Sequence, residues 1–201
     1  MADSNPRQAT LDSLVAEIRS CTICASELPF PPNPVLRVGT QARLLIVGQA
    51  PGRRVHETSI PFNDPSGDRL REWLEMDRET FYDSHRIAIV PMGFCYPGTG
   101  IRGDLPPRKV CADTWRERLM NAMPDVRLLL AIGQYAHRYH LGSACKGSLT
   151  ETVRAWQDYA PRLFPLPHPS PRNNIWLKRN PWFLEQVIPE LRVAVAEALR
   201  P

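Results

Sequence analysis

The sequence predicts an α/β fold in which a parallel β-sheet lies between two layers of helices. Two observations lead to this prediction. Short apolar runs of strand length alternate along the chain with segments of helical period, as in proteins built from βαβ units. The first run, 44–47, is apolar at every position, which indicates a strand that is buried on both faces.

The predicted elements follow one another in a regular order. Residues 53–68 have neither helical nor strand period, and loops of that length in a compact domain are usually functional or disordered. Residues 91–107 form a second irregular segment. We predict strands at 44–47, 87–90, 126–132 and 163–166, and helices at 10–20, 66–76, 108–123, from Gly133 to 141, in the first part of 153–162 and at 181–199.

Size and composition are typical of a globular domain. The chain has 201 residues, of which 43% are hydrophobic and 23% charged, so residues 1–201 can form one domain with a sizeable core. There is no run of 18 or more apolar residues that could span a membrane. The first ten residues are polar and lack the pattern of a secretory signal, which favours an intracellular location. The formal charge of +4 suits a polyanionic partner without requiring one.

A loop with two glycines, Gly48-Gln-Ala-Pro-Gly52, follows the first strand. In open α/β sheets ligands bind at the carboxyl ends of the strands, and glycine lets bare backbone approach a ligand closely. The loop lacks the Gly-Lys-Ser/Thr ending of a P-loop. It could hold a flat polar ring or a phosphate, or it could be an ordinary turn between a strand and a helix.

Two other segments belong to the same argument. Phe62 is the one large aromatic residue of the long loop and lies between two prolines; it is either a core anchor or a stacking platform for a ligand ring. The segment His168-Pro-Ser-Pro-Arg-Asn-Asn174 leaves the fourth strand. Because this segment and the glycine loop both follow parallel strands, we expect them to share one rim of the sheet.

Four of the five cysteines form a pattern that suits a metal centre. A C-x2-C pair, Cys21 and Cys24, is completed by a distant C-x15-C pair, Cys95 and Cys111. Four thiolates can bind zinc or an iron-sulfur cluster, and disulfides are disfavoured in an intracellular protein. The alternative is four unrelated buried thiols. Cys145 lies outside the pattern and is expected to be structural.

Taken together and in this order, these motifs resemble the uracil-DNA glycosylase superfamily. They are Gly48-Gln-Ala-Pro-Gly52, Pro61-Phe-Asn-Asp-Pro-Ser-Gly67, the cysteine spacing and His168-Pro-Ser-Pro-Arg-Asn173. The cysteine spacing is similar to that of the iron-sulfur branch, family 4, and the last motif resembles the single-strand-selective branch. The resemblance implies an α/β/α sandwich with a four-stranded parallel sheet and a 4Fe-4S cluster on the four cysteines.

The resemblance also assigns roles to residues. Phe62 matches the aromatic that stacks on uracil, and His168 matches the histidine that bonds the uracil O2 atom. The implied catalytic set is His168, Gln49 and Asp64; the implied base-binding set is Gly48, Ala50, Phe62 and Asn63; the implied DNA-binding set is Ser170, Pro171, Arg172 and Asn173; and the implied cluster ligands are Cys21, Cys24, Cys95 and Cys111.

This chain departs from the family pattern at three positions. Gln49 and Ala50 stand where the iron-sulfur branch has Glu and the classic enzymes have the water-activating Asp. Pro91 stands where the iron-sulfur branch has an Asn that reads the uracil edge. Strict uracil selectivity and the identity of a general base are therefore open. Asp64 and His56 are the nearest candidates for the base, although ordinary surface or capping roles also explain them.

The resemblance implies a DNA glycosylase that removes uracil, and other deaminated bases as a further possibility, from DNA at the start of base excision repair. We expect its partner to be DNA containing deaminated bases, its location to be cytoplasmic and nucleoid-associated, and its state to be monomeric. The alternative is a non-catalytic relative that binds DNA or damage and keeps the cluster for structure. A small-molecule α/β hydrolase is disfavoured because the chain has no G-x-S-x-G nucleophile elbow.

Overall fold

A four-stranded, entirely parallel β-sheet forms the centre of the molecule. The computed structural model describes residues 6–101 and 103–200. Its sheet comprises β1 (Leu44–Val47), β2 (Ile87–Ile89), β3 (Leu128–Ile132) and β4 (Leu163–Leu166), arranged in the order β2-β1-β3-β4. All three neighbouring pairs are parallel, so the predicted fold class is confirmed. β4 contains Pro165, which an edge strand tolerates because only one side of it is paired.

Helices cover both faces of this sheet. Their bounds are α1 Pro6–Arg19, α2 Arg53–Thr58, α3 Pro65–Leu74, α4 Arg78–Phe81, α5 Lys109–Ala122, α6 Gln134–Leu141, α7 Leu149–Arg154, α8 Asn174–Arg179 and α9 Ile188–Ala198, the last preceded by one π-helical turn over Phe183–Val187. None of the helices in the described part of the chain has the length and apolar character needed to cross a membrane.

The alternation of side chains along each strand separates two hydrophobic cores. Leu44 and Ile46 of β1 point into a core shared with α3 and α9. Leu45 and Val47 point the other way, into a core shared with α1 and α5. Because every residue of β1 is buried, the strand has no polar position, which explains the unbroken apolar run in the sequence.

The sequence-based element predictions were wrong in the two long loops. Residues 53–58 form the short helix α2, which six residues are too few to reveal by periodicity. The segment 91–107 contains a small antiparallel hairpin of Thr99–Gly100 and Gly103–Asp104, hereafter the rim hairpin. The helices α4 and α8 also escaped prediction, because each spans no more than six residues.

Candidate active site and cysteine cavity

One cleft of about 640 Å³ opens at the carboxyl edge of the sheet. Segments that follow all four strands reach it: the glycine loop after β1, Pro91 after β2, Gln134 after β3 and His168 after β4. Phe62 and the rim hairpin complete its walls. The glycine loop and the His168 segment therefore lie together, as the parallel topology predicted.

His168 is held with one ring nitrogen turned toward its own loop. The backbone N–H of Ser170 donates to His168 Nδ1 at 3.2 Å. Burial lowers the pKa of His168 below its ordinary value, although the carboxylates of Asp64 and Asp104 act in the opposite direction. The ring is therefore neutral at pH 7. Since Nδ1 accepts, the single ring proton is on Nε2, which makes His168 a hydrogen-bond donor in the cleft.

The rest of the 168–173 segment is fixed by short-range hydrogen bonds. Asn173 Nδ2 donates to the His168 carbonyl at 2.7 Å, and the Arg172 backbone N–H donates to Ser170 Oγ at 3.2 Å. Arg69 of α3 ties the segment to the rest of the molecule by donating to the Ser170 carbonyl at 3.1 Å. The residues from Ser170 to Asn173 all line the cleft.

The glycine loop is anchored by its carbonyls and leaves backbone donors free. The N–H groups of Met92 and Gly93 donate to the carbonyls of Gly48 and Gln49 at 2.9 and 3.0 Å. The Gln49 side chain donates from Nε2 to the Leu105 carbonyl at 3.1 Å. Within the described residues, the backbone N–H groups of Gln49 and Ala50 make no hydrogen bond. They are available to an acceptor on a ligand in the cleft.

Phe62 presents its ring at the wall of the cleft. Its backbone lies in the left-handed region, with φ of +54°, which is unusual for a large side chain. The ring tip lies 3.2 Å from where a Cβ on Gly48 would be, and its edge packs on Phe81 with centroids 6.3 Å apart. A Cβ on Gly67 would overlap the Phe62 carbonyl. Phe62 is half-buried and lines the cleft, an arrangement suited to stacking.

The other candidates from the long loop occupy different places. Asn63 does not line the cleft; its Oδ1 accepts from Arg78 at 3.1 Å. Asp64 lines the cleft and also caps α3, accepting from the Gly67 backbone N–H at 2.9 Å. His56 lies outside the cleft lining and stacks on Phe30 with centroids 5.3 Å apart. Asp64 is therefore the one of the two general-base candidates that reaches the cleft.

Several cleft residues escaped the sequence analysis. Asp104 of the rim hairpin lines the cleft, as do Gln134 and the exposed Arg53 and Arg54 of α2. The two arginines directly follow the glycine loop, a sequence signal that could have placed them there. No sequence signal placed Asp104 at the cleft, because no pattern in 91–107 predicts a hairpin.

The four patterned cysteines line one small cavity of about 30 Å³. Cys21 and Cys24 follow α1, Cys95 lies beyond β2, and Cys111 is in the first turn of α5. Phe94 donates its N–H to Cys111 Sγ at 3.4 Å. Burial raises the pKa of Cys95 to about 11 and that of Cys111 to about 12, so both are neutral thiols unless a cation displaces their protons.

The four cysteines supply a donor set that suits either zinc or an iron-sulfur cluster. A tetrahedral zinc site would bring its sulfurs to about 4 Å from one another. In the described part of the chain, no three His, Cys, Asp or Glu side chains are grouped so as to hold one metal ion. A four-iron cluster takes one thiolate on each iron and spreads the four sulfurs around a larger body. Four sulfurs around one mostly apolar cavity supply the four thiolates that either kind of centre needs.

Comparison with known proteins identifies a family. A family model described as Uracil DNA glycosylase superfamily matches residues 37–192. The match includes the four strands and every cleft-lining residue except Val35, and it excludes Cys21 and Cys24. A solution NMR structure of a "putative Uracil DNA glycosylase" from Methanosarcina acetivorans is also similar, with 15% sequence identity and a TM-score of 0.45 over 79% of this chain and 98% of that chain.

The position of Phe62 yields a stability prediction. Alanine normally stabilises a helix relative to glycine by about 1 kcal/mol, but a Cβ at position 67 of α3 would overlap the Phe62 carbonyl. We expect Gly67→Ala to lower the free energy of unfolding by about 1–3 kcal/mol, the usual cost of overpacking. Urea denaturation measures this change.

Gly147→Ala is the matched control, because its Cβ would meet only the end of the flexible Glu151 side chain, at 3.0 Å. We expect this variant to unfold close to the wild-type midpoint. A Gly67→Ala protein as stable as wild type would contradict the described approach of Phe62 to α3.

Proposed function

This chain belongs to the uracil DNA glycosylase superfamily, and from that premise we propose that it hydrolyses the N-glycosidic bond of uracil flipped out of DNA. Deaminated bases related to uracil are further candidate substrates. Within the superfamily we place it nearest the iron-sulfur branch, because of its cysteine pattern. The observation that carries the proposal is the meeting of three features in one cleft: a neutral His168, the Phe62 ring and the free N–H groups of the glycine loop.

These three features suit a flipped pyrimidine. The Phe62 ring would stack on the base, and stacking of this kind contributes about 1–3 kcal/mol per base. His168 Nε2–H would donate to a base carbonyl oxygen, and the N–H groups of Gln49 and Ala50 offer further donors. Extruding the base costs a few kcal/mol, so stacking offsets part of that cost.

The chemistry needs an anion to be stabilised. As the C1′–N1 bond breaks, the sugar gains positive charge and the departing base gains negative charge. A donor fixed before the reaction stabilises that negative charge without reorganisation, and removing one such donor typically costs about 2.7–4 kcal/mol. Because His168 is neutral and donates from Nε2, it can strengthen its hydrogen bond as the base becomes an anion.

Basic groups around the cleft suit the phosphate backbone. Arg53, Arg54 and Arg172 are exposed and line the cleft, and arginine binds phosphate oxygens in a bidentate manner. The 170–173 segment presents Ser170 and Asn173 beside Arg172. We propose that this segment grips the backbone and enters the duplex, filling the space that the flipped base leaves.

We also propose that Cys21, Cys24, Cys95 and Cys111 hold a 4Fe-4S cluster. When bound, such a cluster would supply a rigid cross-link among three chain segments: 21–24, the segment around Cys95 and the start of α5. The residues between Pro91 and Cys95 connect this cavity to the cleft, because Met92 and Gly93 anchor the glycine loop. The cysteines therefore brace the cleft without taking part in the hydrolysis.

The base specificity of this chain is expected to differ from that of the iron-sulfur branch. Pro91 lines the cleft, and its carbonyl accepts a hydrogen bond from the buried Arg116. Proline offers neither an amide side chain nor a backbone N–H to read a base edge. Discrimination then depends on His168 and the backbone of the glycine loop.

Replacing His168 tests the proposed reaction. Purified wild-type protein should release uracil from a uracil-containing duplex, leaving a site that alkali cleaves. His168→Ala should slow single-turnover release by about 10²–10³-fold, the effect of removing one such donor. Resolving the alkali-treated strands on a gel measures the rate.

His85→Ala is the control, because His85 is exposed and precedes β2 at the opposite edge of the sheet. It should retain the wild-type rate. Tight binding of uracil-containing DNA by the wild type without any release would instead favour a non-catalytic damage-binding protein.

The cluster proposal has its own test. Wild-type protein purified without oxygen should be brown and contain about four irons per chain, whereas Cys21→Ser should lose colour and most of its iron. Cys145→Ser is the matched control, because Cys145 does not line the cysteine cavity, and it should keep both. Stoichiometric zinc without iron in the wild type would overturn the proposal.

A further inference from the structure

We infer that Asp104, on the rim hairpin, is the carboxylate that accepts the proton of the attacking water. This inference rests on the proposed glycosylase function and names a catalytic residue for it. Positions 49 and 50 are Gln and Ala and carry no carboxylate. A carboxylate that activates the water would therefore come from elsewhere in the cleft. The cleft lining of the described residues contains two carboxylates, Asp64 and Asp104.

Asp104 lies where the hairpin meets the glycine loop. Its Oδ2 is 3.5 Å from the position that a Cβ on Gly52 would take, an ordinary contact distance, so the carboxylate lies directly beside Gly52. His168 lies close enough that the charge of Asp104 affects its pKa. The carboxylate therefore lies beside the end of the glycine loop, and its charge acts on His168, the group that would bind the leaving base.

A chain of hydroxyl groups orients Asp104. Thr99 Oγ1 donates to Asp104 Oδ1 at 3.0 Å. Tyr96 and Thr99 share a hydrogen bond of 2.6 Å between their hydroxyl oxygens. Since the Thr99 proton points to Asp104, the Tyr96 hydroxyl must be the donor to Thr99. Because Tyr96 is buried, this series of hydroxyl groups is held in place. It fixes Asp104 Oδ1 and leaves Oδ2 for another partner.

The other polar groups of the cleft are less suited to take the proton. Asp64 Oδ1 caps α3 through the Gly67 N–H, and protonating Asp64 would weaken that cap. His168 accepts at Nδ1 from its own loop and carries a proton on Nε2, so neither nitrogen is a free base. The Gln49 amide is not basic. Both carboxylates accept their described hydrogen bond at Oδ1, but the bond to Asp104 comes from a side-chain hydroxyl and caps no helix.

The step balances without a further reactant. The water oxygen forms a bond to C1′ of the deoxyribose while the C1′–N1 bond breaks. The electron pair of that bond leaves on the base, which departs as an anion bonded to His168 Nε2–H. A water proton moves to Asp104 Oδ2, and the base later takes a proton from solvent. The products are the free base and an abasic sugar.

Asp104→Asn tests the inference, because Asn keeps an oxygen that can accept from Thr99 but cannot take up a proton. We expect single-turnover uracil release to fall by about 10²–10⁴-fold, the usual contribution of a general base. Affinity for uracil-containing DNA, measured by fluorescence anisotropy, should be retained. Asp125→Asn is the matched control, because Asp125 is exposed just before β3, at the amino edge of the sheet.

A second variant separates catalysis from structure. Asp104→Ala leaves room for a small carboxylate, so added formate should restore part of its rate, which it would not do for a variant that is merely misfolded. Release by Asp104→Asn at the wild-type rate would overturn the inference while leaving the proposed function intact. Loss of activity in Asp64→Asn alone would assign the role to Asp64 and also overturn it. A wild-type protein that releases no uracil would overturn both.

Discussion

The hydrogen bond from the Ser170 N–H to His168 Nδ1 sets the chemistry of the cleft. It spans only two residues, so it forms wherever the 168–173 segment keeps its shape. That shape is maintained by Asn173 and Arg69, which bond the backbone of the segment. Together with burial, the bond gives a neutral imidazole whose remaining proton is on Nε2. A histidine charged at pH 7, or one with its proton on Nδ1, could not serve the cleft in the same way.

The segment that follows β2 connects the cleft to the cysteine cavity. Met92 and Gly93 hold the carbonyls of the glycine loop, while Phe94 and Cys95 face the cysteine cavity. A shift of this segment would therefore move both the glycine loop and the wall of the cysteine cavity. Through this connection, bracing the thiols by the proposed cluster would also stabilise the glycine loop, the proposed base-binding element.

Much of this arrangement follows from sequence, and the rest follows from contacts that sequence does not encode locally. The apolar runs predicted the parallel strands, and the topology then predicted that Gly48 and His168 share a rim. The short helix α2 and the rim hairpin were missed, since neither is long enough to show a period. Asp104 was missed with the hairpin. Asn63 bonds to Arg78 of α4 and does not line the cleft. Because α4 is a single helical turn, the sequence pattern did not predict this contact.

The most direct test of the account is the protonation state of His168 in solution. Imidazole ¹⁵N chemical shifts, assigned by comparison with His168→Gln, report which ring nitrogen carries the proton. The account predicts a neutral ring at pH 7 with the proton on Nε2 and an unprotonated Nδ1. A doubly protonated ring, or a proton on Nδ1, would contradict it.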